Sequence, residues 1–415
     1  MKFFGQFPDP DKLLAMAHPG KIYPVNSHIH TPCSFSAFGS IKEIIEQAAM
    51  EKIGIAGLND FYSTAGFDEF RKTAFSAGIF PHLGLEFITM QDKEKETGTR
   101  VNDPNNPGRT YFGAKGFFGY SSINPAGRKL LDSIIEANRR RACAMAEKLA
   151  GLIALRVPQI NFSEKNVLVE AGGVVQERHV ARAIRKAVYA AAAKEERHAL
   201  LEALYQAPQT ADLENETQSE NEIRSKLLKN GCAAYVEEDN ESFLPLEDVI
   251  ELIGFSGAIP CYPVLLDDSR GFITEYEKNT DELAERLKAL KIPAVELIPR
   301  RNTYKAMKAF AANMFARGFL VLFGTEHNTP EKFPLTVLGA DQPLDSDLLE
   351  ISYHSACAVT AHMYLMETSG KKYEFTGCFP DPQTRSYYIK LGSGIHEFFF
   401  RNYSRFRPGE VKRAC

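Results

Sequence analysis

Residues 22–60 read IYPVNSHIHTPCSFSAFGSIKEIIEQAAMEKIGIAGLND, and they contain a short apolar strand, an amphipathic helix and a second apolar strand. The helix opens with Ser40 and Glu43, three residues apart, which is the pattern of a capping box. Its apolar face is formed by Ile41, Ile44, Ile45 and Ala48. This order of elements predicts two parallel strands joined by a helical crossover.

The same alternation of strands and helices continues along the chain. Near-continuously apolar segments bounded by glycine or proline are typical of strands that are buried on both faces. They lie at 22–28, 53–58, 79–87, 257–262, 293–298 and 318–323. Amphipathic helices are predicted at 281–290 and 302–317. Six visible strands, with room for one or two more, favour an α/β barrel, although a doubly wound sheet fits the same pattern.

The alternation stops between the third and fourth strands. Residues 120–254 are rich in Ala, Glu and Lys with helical periodicity. We therefore predict a barrel formed by 1–119 and 255–375, with 120–254 as a helical insertion that covers one end of it. The final segment, 376–415, combines aromatic and basic residues and either packs on the barrel or mediates association.

Composition limits the classes of function. The chain has 415 residues and a net charge of −4, which argues against a protein that binds nucleic-acid duplexes. A small phosphorylated molecule in a local basic pocket stays compatible with this charge. The seven cysteines are scattered, which predicts reduced thiols and a cytoplasmic protein. We expect neither a signal peptide nor a membrane span.

Polar residues end the successive strands. They are His28 with His30, Asp60, Glu86, Tyr262, Arg300, and Glu326 with His327. Because the carboxyl ends of parallel barrel strands meet on one face, these distant side chains are expected to converge there. That face is where barrel enzymes carry their chemistry.

The spacing of the two histidines suits a metal ion. Alternate residues of a strand point to the same side, so His28 and His30 can reach one ion. Imidazole nitrogen and carboxylate oxygen suit zinc, iron or manganese, and Glu86 and Glu326 can supply the oxygens. A carboxylate that bridges two ions would clamp phosphoryl oxygens and activate water.

Six segments in order resemble the motifs of the PHP (polymerase and histidinol phosphatase) family. They are NSHIHTPCS at 26–34, GIAGLNDF at 54–61, LGLE at 83–86, RHVARA at 178–183, AIPCYP at 258–263 and GTEHN at 324–328. The fourth resembles an insertion motif of the branch of metal-dependent phosphoesterases and nucleotide phosphatases. The resemblance implies a distorted seven-stranded barrel that hydrolyses phosphate esters with a metal-activated water.

The resemblance also implies roles for individual residues. His28, His30, Glu86 and Glu326 would hold the first metal, and Glu86 would bridge to a second that His179 reaches from the insertion. Substrate phosphate would be bound by Arg178, Arg182, Arg300 or Arg301. Protons would be handled by Asp60, Tyr262 or His327.

Three positions depart from the family pattern. Phe61, Tyr262 and Asn328 stand where the family has histidine, and Glu326 replaces an aspartate. Phenylalanine cannot ligate a metal, so we expect one or two divalent ions (Zn, Mn or Fe). A small phosphorylated substrate is the leading prediction. Amide or ester hydrolysis and a binding module without activity are the alternatives.

Overall fold

The computed structural model of this protein describes residues 2–18, 20–238, 241–267, 271–369, 379 and 381–406. Seven strands form one sheet in the order of the chain, β1 to β7. Their bounds are β1 Val25–Ile29, β2 Ile55–Phe61, β3 Phe80–Met90, β4 Arg109–Lys115, β5 Ile259–Pro263, β6 Ala294–Leu297 and β7 Leu320–Phe323.

Helices connect and surround the strands. In chain order they are α1 Pro10–Met16, α2 Ile41–Met50, α3 Phe67–Ala77, α4 Asp92–Glu96, α5 Pro125–Arg156, α6 Glu164–Glu170, α7 Glu177–Ala191, α8 Lys194–Tyr205, α9 Glu216–Ile223, α10 Leu246–Ser256, α11 Thr280–Ala289, α12 Tyr304–Ala316, α13 Ser346–Ser369 and α14 Pro382–Asn402. The predicted cap of α2 is present, since the Ser40 side chain accepts from the backbone N–H of Glu43.

The strand that the sequence did not reveal is β4. It pairs antiparallel with both β3 and β5, whereas the other neighbouring strands are parallel. Its sequence, RTYFGAK, begins and ends with a cation and lacks the apolar run of the other strands. The purely parallel arrangement expected from strand and helix alternation is therefore wrong at this one strand.

The sheet nearly closes into a barrel between β1 and β7. The residues that follow β7 complete the contact: the N–H of His30 donates to the carbonyl of Glu326, and the N–H of Glu326 donates to the carbonyl of His28. Gly324 permits this approach, because a Cβ at that position would lie 2.2 Å from the Cβ of His28. The predicted α/β barrel with a helical insertion is confirmed.

Two hydrophobic layers hold the barrel. The outer layer packs one face of the sheet against helices such as α2, α10 and α12. The inner layer begins with the first residue of most strands, at Val25, Ile55, Phe80, Ile259, Ala294 and Leu320, and it includes α13 and α14. These two helices therefore close the amino end of the barrel and leave the carboxyl end to the insertion.

The helices between β4 and β5 have a hydrophobic core of their own, which runs from Ala142 to Ala234. The first turns of α5 and all of α10 pack on the barrel instead. The boundaries of 120 and 254 stay a prediction. Part of the segment 376–415 lies outside the described residues, and the described part forms α14, which packs on α13 and α1.

Gly392 lies where α14 meets α13. A Cβ there would come within 1.9 Å of the carbonyl oxygen of Cys357. We expect Gly392→Ala to lower the free energy of unfolding by ~1–3 kcal/mol or more, measured by urea denaturation, because the helices must move apart. Gly151→Ala is the control, since nothing lies within 4 Å of its added Cβ. An equal effect of both substitutions would contradict this packing.

Three histidines are buried around the closed end of the barrel. Nε2 of His82 lies 2.7 Å from the Thr360 hydroxyl, which lies 2.8 Å from Nε2 of His396, and Nε2 of His362 lies 2.7 Å from the carbonyl of Gly257. Burial lowers the pKa of His82 to about 3 and the pKa of His362 to about 4, and it lowers the pKa of His396 as well. His82 and His362 are therefore neutral in the folded protein at pH 5.5.

This burial predicts acid sensitivity. The unfolded chain takes up a proton at each histidine below about pH 6.5, whereas the folded chain does not. Stability is therefore lost as the pH falls, by about 1.4 kcal/mol for each histidine between pH 7.5 and pH 5.5. In His82→Gln, we expect the decrease in the free energy of unfolding between these two pH values, measured by urea denaturation, to be smaller by that amount. His198→Gln, at an exposed position, is the control. If His82→Gln lost as much stability at low pH as the wild type, His82 would not be neutral in the folded protein as inferred.

None of the helices in the described part of the chain combines the length and apolarity that a membrane span requires.

Candidate metal centre

Three predicted ligands meet at the carboxyl end of the barrel. His28 is the last but one residue of β1, His30 directly follows the strand, and Glu86 lies on the inner face of β3. Nε2 of His28 lies 3.1 Å from Nε2 of His30, and the Glu86 Oε2 atom lies 3.1 Å from Nε2 of His30 and 3.6 Å from Nε2 of His28. In the described residues this is the one group of three ligand atoms that all lie within 4.8 Å of one another.

The orientation of His28 is set by a buried ion pair that the sequence did not reveal. Glu296 of β6 lies with its Oε2 2.7 Å from Nδ1 of His28, and its Oε1 accepts from Lys115 of β4 at 2.6 Å. Lys115 also donates to the carbonyl of Ser27 and to the side chain of Asn59. Because Nδ1 of His28 faces a carboxylate, Nε2 is the nitrogen left for a metal.

His30 is held by the loop that follows β1. Its Nδ1 lies 3.3 Å from the Ser34 hydroxyl, which in turn donates to Asp60 at 2.8 Å. Asp60 also accepts from the backbone N–H and the hydroxyl of Thr31. Burial raises the pKa of Asp60 to about 7, and these hydrogen bonds oppose the shift. In this arrangement Asp60 fixes the loop, and its Oδ1 lies 4.0 Å from Nδ1 of His30, the ring nitrogen that faces away from Glu86.

Phe61 takes the place that the family gives to a histidine. It lies on the inner face of β2 opposite Glu86, and its ring stacks on His30 with 5.1 Å between the ring centroids and 19° between the planes. It therefore orients His30 through packing and contributes no ligand.

Tyr262 does not join the cluster. Inside β5, Ile259 and Cys261 belong to the inner layer, whereas Tyr262 belongs to the outer layer. Its hydroxyl donates to the buried carboxylate of Glu277 at 2.8 Å. Tyr262 lies away from the ligand cluster because residues of a strand alternate between its two faces, and its role in proton transfer stays a prediction.

Glu326 and His327 both have positive φ angles, 76° and 64°, which are rarely adopted by residues other than glycine. The side chain of Glu326 pairs with Arg301 and accepts from the amide of Asn328, and Glu326 is not part of the ligand group. Nδ1 of His327 lies 3.0 Å from the Thr325 hydroxyl, and Nε2 lies 3.0 Å from the carbonyl of Phe333. Neither nitrogen of His327 is left for a metal or a proton transfer in this arrangement.

The insertion reaches the site through the start of α7. His179 accepts from the backbone N–H of Gln176 through Nδ1 and packs edge-on against Phe35, outside the ligand group. Burial lowers the pKa of His179 to about 3. Arg182 lies over the ring of Phe35 and donates to the carbonyl of Ser36 at 3.3 Å. Both residues thus dock the insertion on the loop after β1.

Arg178 has a different environment. Among the described residues, no carboxylate oxygen lies within 4.0 Å of its guanidinium, and burial together with the charge of Arg224 lowers the pKa of Arg178 to about 9. Burial lowers the pKa of His30 to about 4, and the charge of Arg178 acts in the same direction, so Arg178 lies within electrostatic reach of the cluster. Arg300 lies over the Phe333 ring instead, 3.7 Å from its centroid.

A cavity of about 100 Å³ lies between the barrel and the insertion, lined by Phe61, Tyr111, Arg178 and Asn328 among others. It shares the walls formed by Arg109, Arg141, Arg224 and Lys229 with a cavity of about 800 Å³. The shared cations outnumber the shared carboxylates, Glu177 and Glu238. The shared wall therefore carries a net positive charge, and Phe61, which lines the smaller cavity, stacks on His30 of the cluster.

The residues present fit a divalent ion. Two imidazole Nε2 atoms and Oε2 of Glu86 face one another, and this buried carboxylate oxygen has no hydrogen-bond donor in the described part of the protein. A cation placed between them would satisfy all three atoms, and nitrogen and oxygen donors of this kind suit zinc, iron or manganese.

We expect Glu296→Gln to weaken metal binding by ~10–100-fold, because the carboxylate partner of a ligand histidine increases its basicity. The measurement is a competitive titration of zinc against a chelating indicator. Glutamine keeps the size of the side chain and an oxygen that can accept from Lys115, whereas alanine would remove both. Glu251→Gln, at an exposed position of α10, is the control. Equal affinity in wild type and Glu296→Gln would show that the ion pair does not act on the metal.

Comparison with known proteins agrees with this geometry. Residues 26–169 match the family model of the PHP domain. A structure from Bifidobacterium adolescentis, proposed to be a metal-dependent phosphoesterase, is 17% identical and covers 80% of this chain and 95% of its own, with a TM-score of 0.53. An amidohydrolase from Chromobacterium violaceum with bound sulfate and no metal is 16% identical, covering 78% of this chain and 99% of its own, with a TM-score of 0.51. No curated protein matches. The match at residues 26–169 agrees with the resemblance to the PHP family that the sequence motifs predicted.

Proposed function

We propose that this protein is a metal-dependent hydrolase, and more specifically a phosphoesterase that acts on a small phosphorylated substrate. The observation that carries the proposal is the cluster of His28, His30 and Glu86 beside Arg178, a partly buried arginine without a carboxylate partner in the described residues. When bound there, a divalent ion supplies Lewis acidity and lowers the pKa of a water molecule to about 7.

The protein's own residues would bind and orient the substrate. A guanidinium presents several donors in a planar fork that matches a phosphoryl group. Arg178 is the first candidate for this contact, because its charge is not neutralised by a neighbour. Arg182 and Arg301 stay candidates, although the ring of Phe35 and the carboxylate of Glu326 already engage them. Arg300 is the weakest candidate because its guanidinium is stacked on Phe333.

The metal would be held by His28, His30 and Glu86. Glu296, itself paired with Lys115, would orient the His28 ring through its Nδ1 atom. Phe61 and the apolar wall beside it exclude water from one side of His30. His179 and Glu326 were predicted as further ligands, and each has other contacts in the present arrangement. Neither Asp60 nor His327 points a free polar atom at the cluster, so the proton donor to the leaving group is not assigned to them.

The second candidate is amide or ester hydrolysis, which a similar structure's description as an amidohydrolase favours. The same ligand cluster can serve either reaction. The positively charged wall that the two cavities share favours an anionic phosphate over an uncharged amide.

Metal content and turnover test the proposal together. Protein purified without chelator is analysed for zinc, iron and manganese, beside a variant with His28→Ala and His30→Ala. Panels of phosphate monoesters, phosphodiesters and N-acyl amino acids are then assayed with the metal-loaded protein. We expect metal in the wild type, none in the variant, and release of inorganic phosphate. Turnover of amides alone would overturn the phosphoesterase assignment, and no metal after reconstitution would overturn the hydrolase.

A further inference from the structure

Three glutamates at the carboxyl end of the barrel differ in whether a lysine or an arginine lies beside them. Glu296 is neutralised by Lys115 at 2.6 Å, with both side chains almost fully buried. Glu326 is neutralised by Arg301. Glu86 alone of these three carboxylates has neither a lysine nor an arginine within 4.0 Å among the described residues, and its close neighbours are the two imidazoles. Only one carboxylate is thus left to neutralise a metal ion.

Three of the side chains that could have served a second ion are engaged elsewhere, whereas His179 uses only Nδ1 and its buried Nε2 has no hydrogen-bond partner among the described residues. Phe61 offers a ring in place of a ligand, and that ring stacks on His30. The Tyr262 hydroxyl lies on the other face of β5 with Glu277. Both ring nitrogens of His327 face protein oxygens at 3.0 Å. These are three separate elements of the barrel, so the loss of ligands is not the effect of one displaced loop.

Besides Lys115 and Arg178, a further cation near the cluster is Arg301. It directly follows Arg300 in the short helical turn Pro299–Arg301 after β6, yet the two guanidinium groups have different partners. Arg301 pairs with Glu326, whereas Arg300 stacks on Phe333. Burial lowers the pKa of Arg301, and the charge of Glu86 opposes that shift, so the Arg301 charge also acts on the cluster.

We propose that this centre holds a single divalent ion at His28, His30 and Glu86, and that Arg301 supplies beside Glu326 the positive charge that a second ion would carry. The inference rests on the metal binding of the proposed function and departs from the two or three ions that the family resemblance implies. Two divalent ions repel each other four times as strongly as two unit charges at the same separation. A site with one unpaired carboxylate does not offset that repulsion.

The stoichiometry of manganese binding tests the inference. Metal-free full-length protein is titrated with Mn²⁺ and followed by equilibrium dialysis and by electron paramagnetic resonance. We expect one equivalent in the wild type, with the spectrum of an isolated ion. In Arg301→Met, the freed carboxylate of Glu326 is expected to admit a second, weaker equivalent. Arg300→Met is the matched control and should bind one equivalent, because Arg300 pairs with no carboxylate of the cluster.

The outcomes separate this inference from the proposed function. Two equivalents in the wild type, or a spectrum of two coupled ions, would overturn the single-ion centre and leave a phosphoesterase possible. One equivalent in both the wild type and Arg301→Met would overturn the role of Arg301. One equivalent without hydrolysis of any phosphate ester would overturn the proposed function alone. No binding of manganese, zinc or iron by the folded wild type would overturn both.

Discussion

Glu86→Gln is expected to lower the affinity of the protein for a divalent metal ion by ~100-fold or more, which exceeds the effect typical of outer-sphere partners. Oε2 of Glu86 faces both imidazole Nε2 atoms and is the one negatively charged atom of the ligand group. The two histidines lower the pKa of Glu86 and so keep it ionised despite its burial, which opposes ionisation. Glutamine has nearly the same shape but cannot neutralise the ion.

The measurement is zinc affinity by competition with a chelating indicator, with circular dichroism to verify the fold. Glu96→Gln makes the same chemical change at an exposed position of α4 and should leave the affinity unchanged. Loss of metal-dependent turnover should follow the loss of bound zinc. Zinc affinity within ~3-fold of the wild type in Glu86→Gln would remove the carboxylate from the ligand set and would contradict the proposed centre.

Arg178→Met is expected to lower kcat/KM for a phosphate monoester by ~10–150-fold, the effect of losing a hydrogen bond of about 1.5–3 kcal/mol to a charged group. Metal content should not change, because Arg178 is not a ligand. Arg178 is partly buried without a carboxylate partner in the described part of the chain, and the pKa of Arg178 is lowered by that burial. A bound phosphoryl group would provide the missing negative charge.

Steady-state kinetics of the metal-loaded protein measure this effect. Arg178→Lys should have a kcat/KM between those of the wild type and Arg178→Met, because lysine supplies the positive charge but not the planar guanidinium. Arg139→Met is the control, since Arg139 lies on the insertion and pairs with Glu136 at its exposed surface. An unchanged kcat/KM in Arg178→Met would remove Arg178 from phosphate binding. Equal losses for phosphate and amide substrates would favour a structural role for Arg178 instead.

The sequence alone predicts most of the barrel and the centre of its site. Six strands were identifiable because strands buried on both faces must be apolar along their whole length. His28, His30 and Glu86 were identifiable because parallel strands bring their carboxyl ends together. Both inferences depend on local pattern and on chain order, which the sequence contains in full.

The face on which each side chain lies was decided by tertiary structure. Tyr262 and Glu296 both occupy apolar strands near the site, yet Tyr262 points outward to Glu277 and Glu296 points inward to His28. An extra residue in β1, between Asn26 and Ile29, shifts its register against β2. Because the side chains of a strand alternate between its faces, a register shift of one residue moves every following side chain to the opposite face. The sequence pattern does not reveal such a shift where both faces are buried.

What the sequence determined by itself is the α/β barrel, the helical character of the insertion and the three residues that form the candidate ligand cluster. Tertiary structure decided that β4 runs antiparallel, that Lys115 and Glu296 meet beneath His28, and that Arg301 pairs with Glu326. A buried charge is stable only beside its opposite. Lys115 and Glu296 lie 181 residues apart along the chain, and only the closed sheet brings the two together.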